Sequence, residues 1–389
     1  MRRLDNKVAG ITGRSSGIGF SAARRDFVKT VGIVAGGSLL PSSFTRVQAA
    51  GKEASHGDGP SQAQKALKIV MVPKFTGTPY FAATEKGAKE AVAELKGKDV
   101  AIDFLYIGPA AANSDEQVRM VDDLLAQKPD AIIIAPMNPE AMVPMARNAK
   151  TSGIKVVTYD ADVADPTARQ WFVNQATFTE AGTALVDVVA EQAGTSARFA
   201  VVSTDPGAFS QNSWITTMKQ RMTAKYPKMQ LVDIGYGQGK PAESFSATQD
   251  LINKYRDRLD AIVAPTVVAL PKVAEAVEQA GLAGKIVVTG MATPNQMREF
   301  VKRGTVKTVV LWNPVDLGYL AVYTAQASVA GALKDDATQA KVPAGRLGTR
   351  DALASLDDMT AKGPLTLKNV IVLGDPFRFM KDNIDQFNF

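Results

Sequence analysis

Residues 130–160 read DAIIIAPMNPEAMVPMARNAKTSGIKVVTYD, and residues 260–291 read DAIVAPTVVALPKVAEAVEQAGLAGKIVVTGM. Each copy opens on an Asp, runs through a short apolar stretch to Ala-Pro and continues into an Ala-rich helical segment. Each then stops at a glycine (Gly153, Gly284) and closes on a second β-branched run. Ile and Val in unbroken succession suit a strand covered on both faces, and apolar residues three and four apart suit the helix that covers it. The two copies are offset by 130 residues. Solenoid units repeat every roughly 20–50 residues, so this offset predicts two similar α/β lobes instead.

The alternation extends outward from both copies. Ahead of the first lie LKIVMVP with a helix predicted over Tyr80–Lys96, then VAIDFLYI with a helix over Ser114–Lys128; within it the helix spans Pro139–Ser152. In Ser114–Lys128, Val118, Val121, Leu124 and Leu125 form one stripe and Asp115, Glu116, Arg119, Asp122 and Asp123 mostly face water. The second series reads RFAVVSTDP, helix Asn212–Tyr226, QLVDIGYG, helix Ala242–Tyr255, the second copy with helix Leu270–Gln279, helix Pro294–Lys302 and VKTVVLW. The predicted fold class is α/β: two doubly wound parallel-sheet lobes.

Composition narrows the function. The chain of 389 residues has no Cys and one His, His56, so disulfide frameworks, thiolate metal sites, cysteine nucleophiles and His-based relays drop out. No metal or other cofactor is expected. The net charge of +6 belongs to residues 1–50, which hold eight basic and two acidic groups; the remaining 37 basic and 37 acidic groups cancel. A neutral body offers no global field for phosphate backbones, so nucleic acid is not expected as a partner.

In open parallel sheets, ligands bind at the C-terminal ends of the strands. The polar residues there are Lys74, Asp160, Asp162, Ser210, Gln211 and Asn313, with Pro265 and Thr266 closing DAIVAP; Phe75, Tyr80, Phe81, Tyr159, Trp214 and Trp312 lie among them. Carboxylate and amide oxygens accept from hydroxyl groups, Lys and Asn donate to them, and aromatic faces cover the C–H face of a sugar ring. The set suits a small polyol. Each member also has a structural use: Asp162 in a turn, Lys74 at the surface, and Phe81, Trp214 and Trp312 in the core. Asp160 and Asp162, two apart on one strand, could share a face but do not flank a bond as paired glycosidase carboxylates must. No nucleophile stands with a base, and no catalytic residue is expected.

The N-terminus carries two unlike signals. Residues 5–20, DNKVAGITGRSSGIGF, resemble the opening of short-chain dehydrogenases, matching at Thr12, Gly13, Gly17 and Gly19. That family's Tyr and Lys four apart occur once, as Tyr236 and Lys240, but Gly237, Gly239 and Pro241 predict a turn there. From Ala23 the chain resembles a twin-arginine export signal: Arg24 and Arg25, an apolar run over Thr30–Leu40 and small residues up to a cleavage site after Ala49 or Ala50. The run has 11 residues, whereas a spanning helix needs about 20. Residues 51–66 are polar and Gly/Ser-rich and read as a disordered leader.

From Leu67 to Phe389 the chain resembles the periplasmic sugar-binding proteins of ABC importers, of the group that includes rhamnose- and autoinducer-2-binding proteins. The resemblance rests on VPKFTGTPYF, KVVTYDAD, FVNQAT, SQNSW, APTVVALP, the TPNQM to RGTVK segment, LWNPVDLGY and KDNIDQFNF. It implies two lobes joined by a three-stranded hinge, a monosaccharide held between them, and delivery to a membrane permease. Together with the N-terminal readings, the expected organisation is a vestigial fragment over 1–22, a signal peptide over 23–50, a leader over 51–66, lobe 1 from 67–175 plus 290–315, and lobe 2 from 176–289 plus 316–389. In the autoinducer-2 branch a Lys, an Asp, an Asp-Gln pair and a Pro with an Ala two residues on hold the ligand. Lys74, Asp160, Gln211 and Pro265 match; Ser210 replaces the second Asp and Val267 the Ala. APTVVALP and LWNPVDLGY look more like the rhamnose branch, which favours a deoxyhexose. The implied ligand set is Lys74, Phe75, Phe81, Asp160, Asp162, Ser210, Gln211, Pro265, Val267, Trp312 and Asn313. The resemblance further implies a monomer in the periplasm. An autoinducer-2 receptor of the same fold and an NAD(P)-dependent short-chain oxidoreductase are the competing readings. A sugar-responsive repressor would need a helix-turn-helix leader in place of the twin arginine.

Overall fold

A computed structural model describes residues 65–335 and 339–389. The dehydrogenase-like stretch, the twin arginine and His56 lie outside these residues, as does nearly all of the leader.

Lobe 1 begins with β1 (Leu67–Val72), α1 (Pro79–Lys96), β2 (Ile102–Tyr106), α2 (Ser114–Leu125), β3 (Ala131–Ile134), α3 (Pro139–Thr151), β4 (Lys155–Tyr159) and β5 (Trp171–Asn174). Lobe 2 follows: α4 (Phe178–Ala193), β6 (Arg198–Ser203), α5 (Phe209–Lys225), β7 (Gln230–Tyr236), α6 (Pro241–Tyr255), β8 (Ala261–Ala264), α7 (Ala269–Gln279), β9 (Val287–Gly290), α8 (Pro294–Lys302) and β10 (Val309–Leu311). The chain then returns to lobe 1 with α9 (Pro314–Val329), β11 (Gln339–Pro343), β12 (Thr349–Thr360) and β13 (Gly363–Val372), and ends in lobe 2 with β14 (Phe377–Phe379). Pro opens α1, α3, α6, α8 and α9, where its missing N–H costs nothing and its fixed φ suits the first turn.

The parallel strands run β2-β1-β3-β4-β5 in lobe 1 and β7-β6-β8-β9 in lobe 2. The internal repeat is visible in single hydrogen bonds. The Lys68 N–H donates to the Asp130 carboxylate at 2.7 Å, and 130 residues later the Arg198 N–H donates to Asp260 at 2.7 Å. Every residue of β3 and β8 is buried, as unalternating apolar strands require. Among the described residues the chain crosses between lobes three times, over 175–177, 312–313 and 373–376.

Two features depart from the sequence reading. Helix α9, assigned with 316–389 to lobe 2, packs on α1, β3, β4 and β5. A Cβ at Gly87 would overlap the Val315 carbonyl, and one at Gly318 the Thr84 carbonyl, so glycines let these two backbones touch. Conversely α8 and β10, placed in lobe 1 with 290–315, stay with lobe 2: β10 lies beside β9 and pairs antiparallel with β14. The lobe boundary therefore falls at 312–313. The second feature is an antiparallel extension, β13-β12-β11, that joins the lobe 1 sheet through β5. The β12–β13 hairpin reaches lobe 2, where the Asp358 carboxylate accepts from the Phe178 and Thr179 N–H groups (2.7 and 3.0 Å) and the Ala361 N–H donates to Ser213 Oγ (3.1 Å). The C-terminus closes lobe 2: the Asn295 N–H donates to the Phe389 carbonyl, and Phe377, Phe379, Phe387 and Phe389 cluster with centroids 4.8–6.2 Å apart. Among the described residues no helix is long and apolar enough to cross a membrane.

Candidate functional site

The strand ends of lobe 1 are fixed from beneath. Gln117, fully buried on α2, donates to the carbonyls of Pro73 (2.8 Å) and Ala135 (2.9 Å) and accepts from the Met137 N–H (2.9 Å). One amide thus holds the turns after β1 and β3 and sets the backbone from which Lys74 projects. After β4, Asp160 takes φ 62°, a left-handed conformation that a non-glycine residue adopts at a cost on the order of 1–3 kcal/mol. This turn aims its carboxylate at Lys74, with Nζ to Oδ2 at 2.8 Å. The Tyr80 hydroxyl donates to Asp160 Oδ1 at 2.6 Å and accepts from the Trp312 indole N–H at 2.7 Å. Burial, then the neighbouring Asp160 charge, pushes the Tyr80 phenol well above its ordinary pKa, so it remains a proton donor.

An aromatic run leads from this group into lobe 2. Phe75 meets Phe81 edge-on at 5.7 Å, Phe81 meets Tyr80 at 5.2 Å, and Tyr80 meets Trp312 at 6.5 Å. Trp312, on the second crossing, lies 6.4 Å from Trp214 of α5, which lies 6.4 Å from Phe178 at the start of α4.

The lobe 2 strand ends differ. Helix α5 begins at Phe209, three residues before the predicted Asn212, so Ser210 and Gln211 stand in its first turn, half-buried. No side chain caps that turn, which leaves its N–H groups and the two polar side chains available to a hydroxyl-bearing ligand. Pro265 and Val267 occupy the turn after β8, the strand beside β6, where Gln296 Nε2 donates to the Val267 carbonyl at 3.3 Å.

Three expected ligand residues are engaged elsewhere. Asp162 accepts from Arg169 Nε at 2.9 Å and from its NH2 at 2.5 Å, and from Thr158 Oγ1 at 2.6 Å. Arg169 is fully buried and also donates to the Asn369 carbonyl of β13 at 3.0 Å, so Asp162 neutralises a core cation instead of facing a sugar. The positive φ at Asp160 breaks the strand's alternation, and the two carboxylates part. Asn313 caps α9, accepting from the Val315 N–H (3.0 Å) and donating to Asp316 (2.9 Å). Phe81 is buried in the lobe 1 core, where its carbonyl accepts from Tyr106 and Thr84. Lys74, Asp160 and Trp312 do come together around Tyr80, and Phe75 reaches the group through Phe81. Tyr80 stands among the strand-end aromatics of the sequence but outside the expected ligand set; its place just after Thr78-Pro79, in a helix first turn facing the strand ends, was the available signal. Tyr236 ends β7 and Lys240 caps α6, separated by a turn, as the glycines predicted.

Two other hollows, about 520 Å3 around Asp130 and Lys155 and about 190 Å3 around Asp260 and Lys285, lie at the opposite, N-terminal edges of the sheets. Their positions repeat with the internal symmetry and follow from the βαβ architecture itself.

A family described as periplasmic binding protein domain matches residues 69–333. Among solved structures, a sugar ABC transporter protein from Actinomyces odontolyticus is 32% identical, with a TM-score of 0.73 over 83% of this chain and 98% of that one. A solute-binding protein from Clostridium phytofermentas with bound L-rhamnose is 28% identical, with a TM-score of 0.67 over 83% of this chain and 98% of that one. The D-xylose-binding periplasmic protein of Escherichia coli (strain K12) is 21% identical over 220 residues, 55% of this chain and 64% of that protein. The match thus spans just under two thirds of that curated relative's length.

Proposed function

Because the chain belongs to the periplasmic binding protein family, we propose that it captures a monosaccharide between its lobes and delivers it to a membrane ABC permease. The observation that carries this reading is the Lys74–Asp160 pair, set among aromatic faces at the strand ends of a lobe whose partner joins it by three crossings. The carboxylate has lone pairs left for sugar hydroxyls, Lys74 has N–H groups left for sugar oxygens, and Phe75 supplies apolar surface for C–H groups. A rhamnose-like deoxyhexose is favoured: APTVVALP and LWNPVDLGY suit that branch, and the L-rhamnose-bound relative supports it. The sugar bridges lobe 1 to Ser210, Gln211, Pro265 and Val267 of lobe 2 and favours the closed state by its greater affinity for it. No bond is made or broken. The protein works as a monomer in the periplasm, exported by the twin-arginine leader over 23–50.

Thermal unfolding of residues 51–389 with a panel of monosaccharides tests this. A ligand at one hundred times its Kd stabilises the native state by about 2.7 kcal/mol. L-rhamnose or a close deoxyhexose is expected to raise the melting temperature and to shrink the scattering radius. A panel in which no sugar does either refutes the reading.

A further inference from the structure

The hydroxyl of Tyr80 has one proton to donate, and it donates to Asp160 Oδ1, with 2.6 Å between the oxygens. Its acceptor side receives the Trp312 indole N–H at 2.7 Å. The hydroxyl therefore has its donor and principal acceptor positions filled, and it works on Asp160 rather than on a ligand. Trp312 belongs to the second crossing between the lobes and leans on Trp214 of lobe 2 at 6.4 Å. Asp160 itself sits in a left-handed backbone conformation with its side chain 10% exposed, a placement that needs support from its neighbours.

We propose that Tyr80 is a positioning residue for sugar capture: it relays the Trp312 indole on the hinge to the Asp160 carboxylate, and so sets the direction in which that carboxylate meets the ligand. This rests on the monosaccharide reading above and adds to it a physical link between hinge and site. Because Tyr80 takes Oδ1 from one side and Lys74 takes Oδ2, the carboxylate cannot rotate freely, and its remaining lone pairs face one fixed way. The phenol's raised pKa keeps the donated proton in place.

Calorimetry with the tightest-binding monosaccharide tests this on four forms of residues 51–389: wild type, Tyr80→Phe, Trp312→Phe and the double variant. Tyr80→Phe keeps the ring and removes the relay; it is expected to weaken binding about tenfold or more, the worth of a hydrogen bond to a charged group. Trp312→Phe leaves the bond to Asp160 and is expected to weaken binding only a few-fold, and the double variant to bind no worse than Tyr80→Phe, the non-additivity of two residues acting through one bond. Tryptophan emission of the sugar-free protein gives a second signature: Tyr80→Phe deprives one indole N–H of its acceptor and should shift emission to shorter wavelength. Affinity of Tyr80→Phe within twofold of wild type, independent losses in the double variant, or unchanged emission overturns the inference alone. A wild type that binds no monosaccharide overturns the functional reading and this inference with it.

Discussion

The two lobes share a repeat down to the Asp130 and Asp260 hydrogen bonds, yet their strand ends are finished differently. In lobe 1 the polar groups are tied together before any ligand arrives: Gln117 holds the turns, Lys74 and Tyr80 hold Asp160, and Trp312 holds Tyr80. In lobe 2 the corresponding groups stand in an uncapped helix turn and a short loop. The helix pairs behind them differ too. Both pairs close on glycines, Gly182 of α4 against the Trp214 carbonyl of α5 and Gly87 and Gly318 between α1 and α9, but α4 and α5 add a two-pronged Asp187–Arg221 pair (3.0 and 2.8 Å), whereas α1 and α9 carry a network of Glu94, Lys98, Tyr319 and Tyr323. Under the proposed sugar-binding reading, the contrast amounts to a division of labour: one lobe presents a preset charge, and the other carries the side chains that would distinguish one sugar from another.

Substitutions can break this contrast. Asp162→Ala should have the largest effect, a loss of about 3–5 kcal/mol of stability, because it strands the buried Arg169 cation; denaturant unfolding reads it. Asp160→Ala, two residues away, should cost less, about 1–3 kcal/mol of stability from the Tyr80 hydroxyl left without its acceptor, and weaken sugar binding at least about a hundredfold by calorimetry, the loss of more than one charge-assisted bond. Equal effects of the two variants on binding would erase the distinction drawn between these carboxylates. In lobe 2, Ser210→Asp with Val267→Ala should raise autoinducer-2 affinity about tenfold, since one new carboxylate bond is worth about 1.5–3 kcal/mol and the smaller side chain widens the site. An unchanged affinity would mean that lobe 2 does not set the choice.

The smallest effect concerns pH. Hydrogen bonds from Lys98, then from Tyr319, hold the Glu94 carboxyl down at about 2, against an ordinary 4.5. A depressed folded pKa contributes stability above the ordinary value, and that contribution fades as pH falls from 4.5 toward 2. Glu94→Gln should therefore flatten part of the acid loss of melting temperature in that window, modestly, because the group is near the surface.

Where packing followed a simple period, the sequence was legible. Helix α8 matched residue for residue, and α1, α3, α6 and α7 within one residue at each end. Helix α9 escaped because 13 of its 16 residues are buried: a helix apolar nearly all round shows no stripe. Strand β12, TRDALASLDDMT, is rich in charge and becomes a strand only through its pairing with β13. At the site, residue types were readable but their partners were not. Nothing local to Asp162 announces a core arginine seven residues on, and nothing near Tyr80 announces an indole 232 residues away.

The path of the backbone, first lobe to second and back again, governs when this molecule can assemble. Lobe 1 lacks α9 and β13 until the chain has reached Val372, and lobe 2 lacks β14 and its aromatic cluster until the chain has reached Phe389. Neither half is a unit that can mature at the ribosome while the rest is still being made, as domains generally do. Contacts this distant in sequence are slow to form, and removing β14 with the aromatic cluster beside it would harm the lobe that began at Phe178, about two hundred residues earlier.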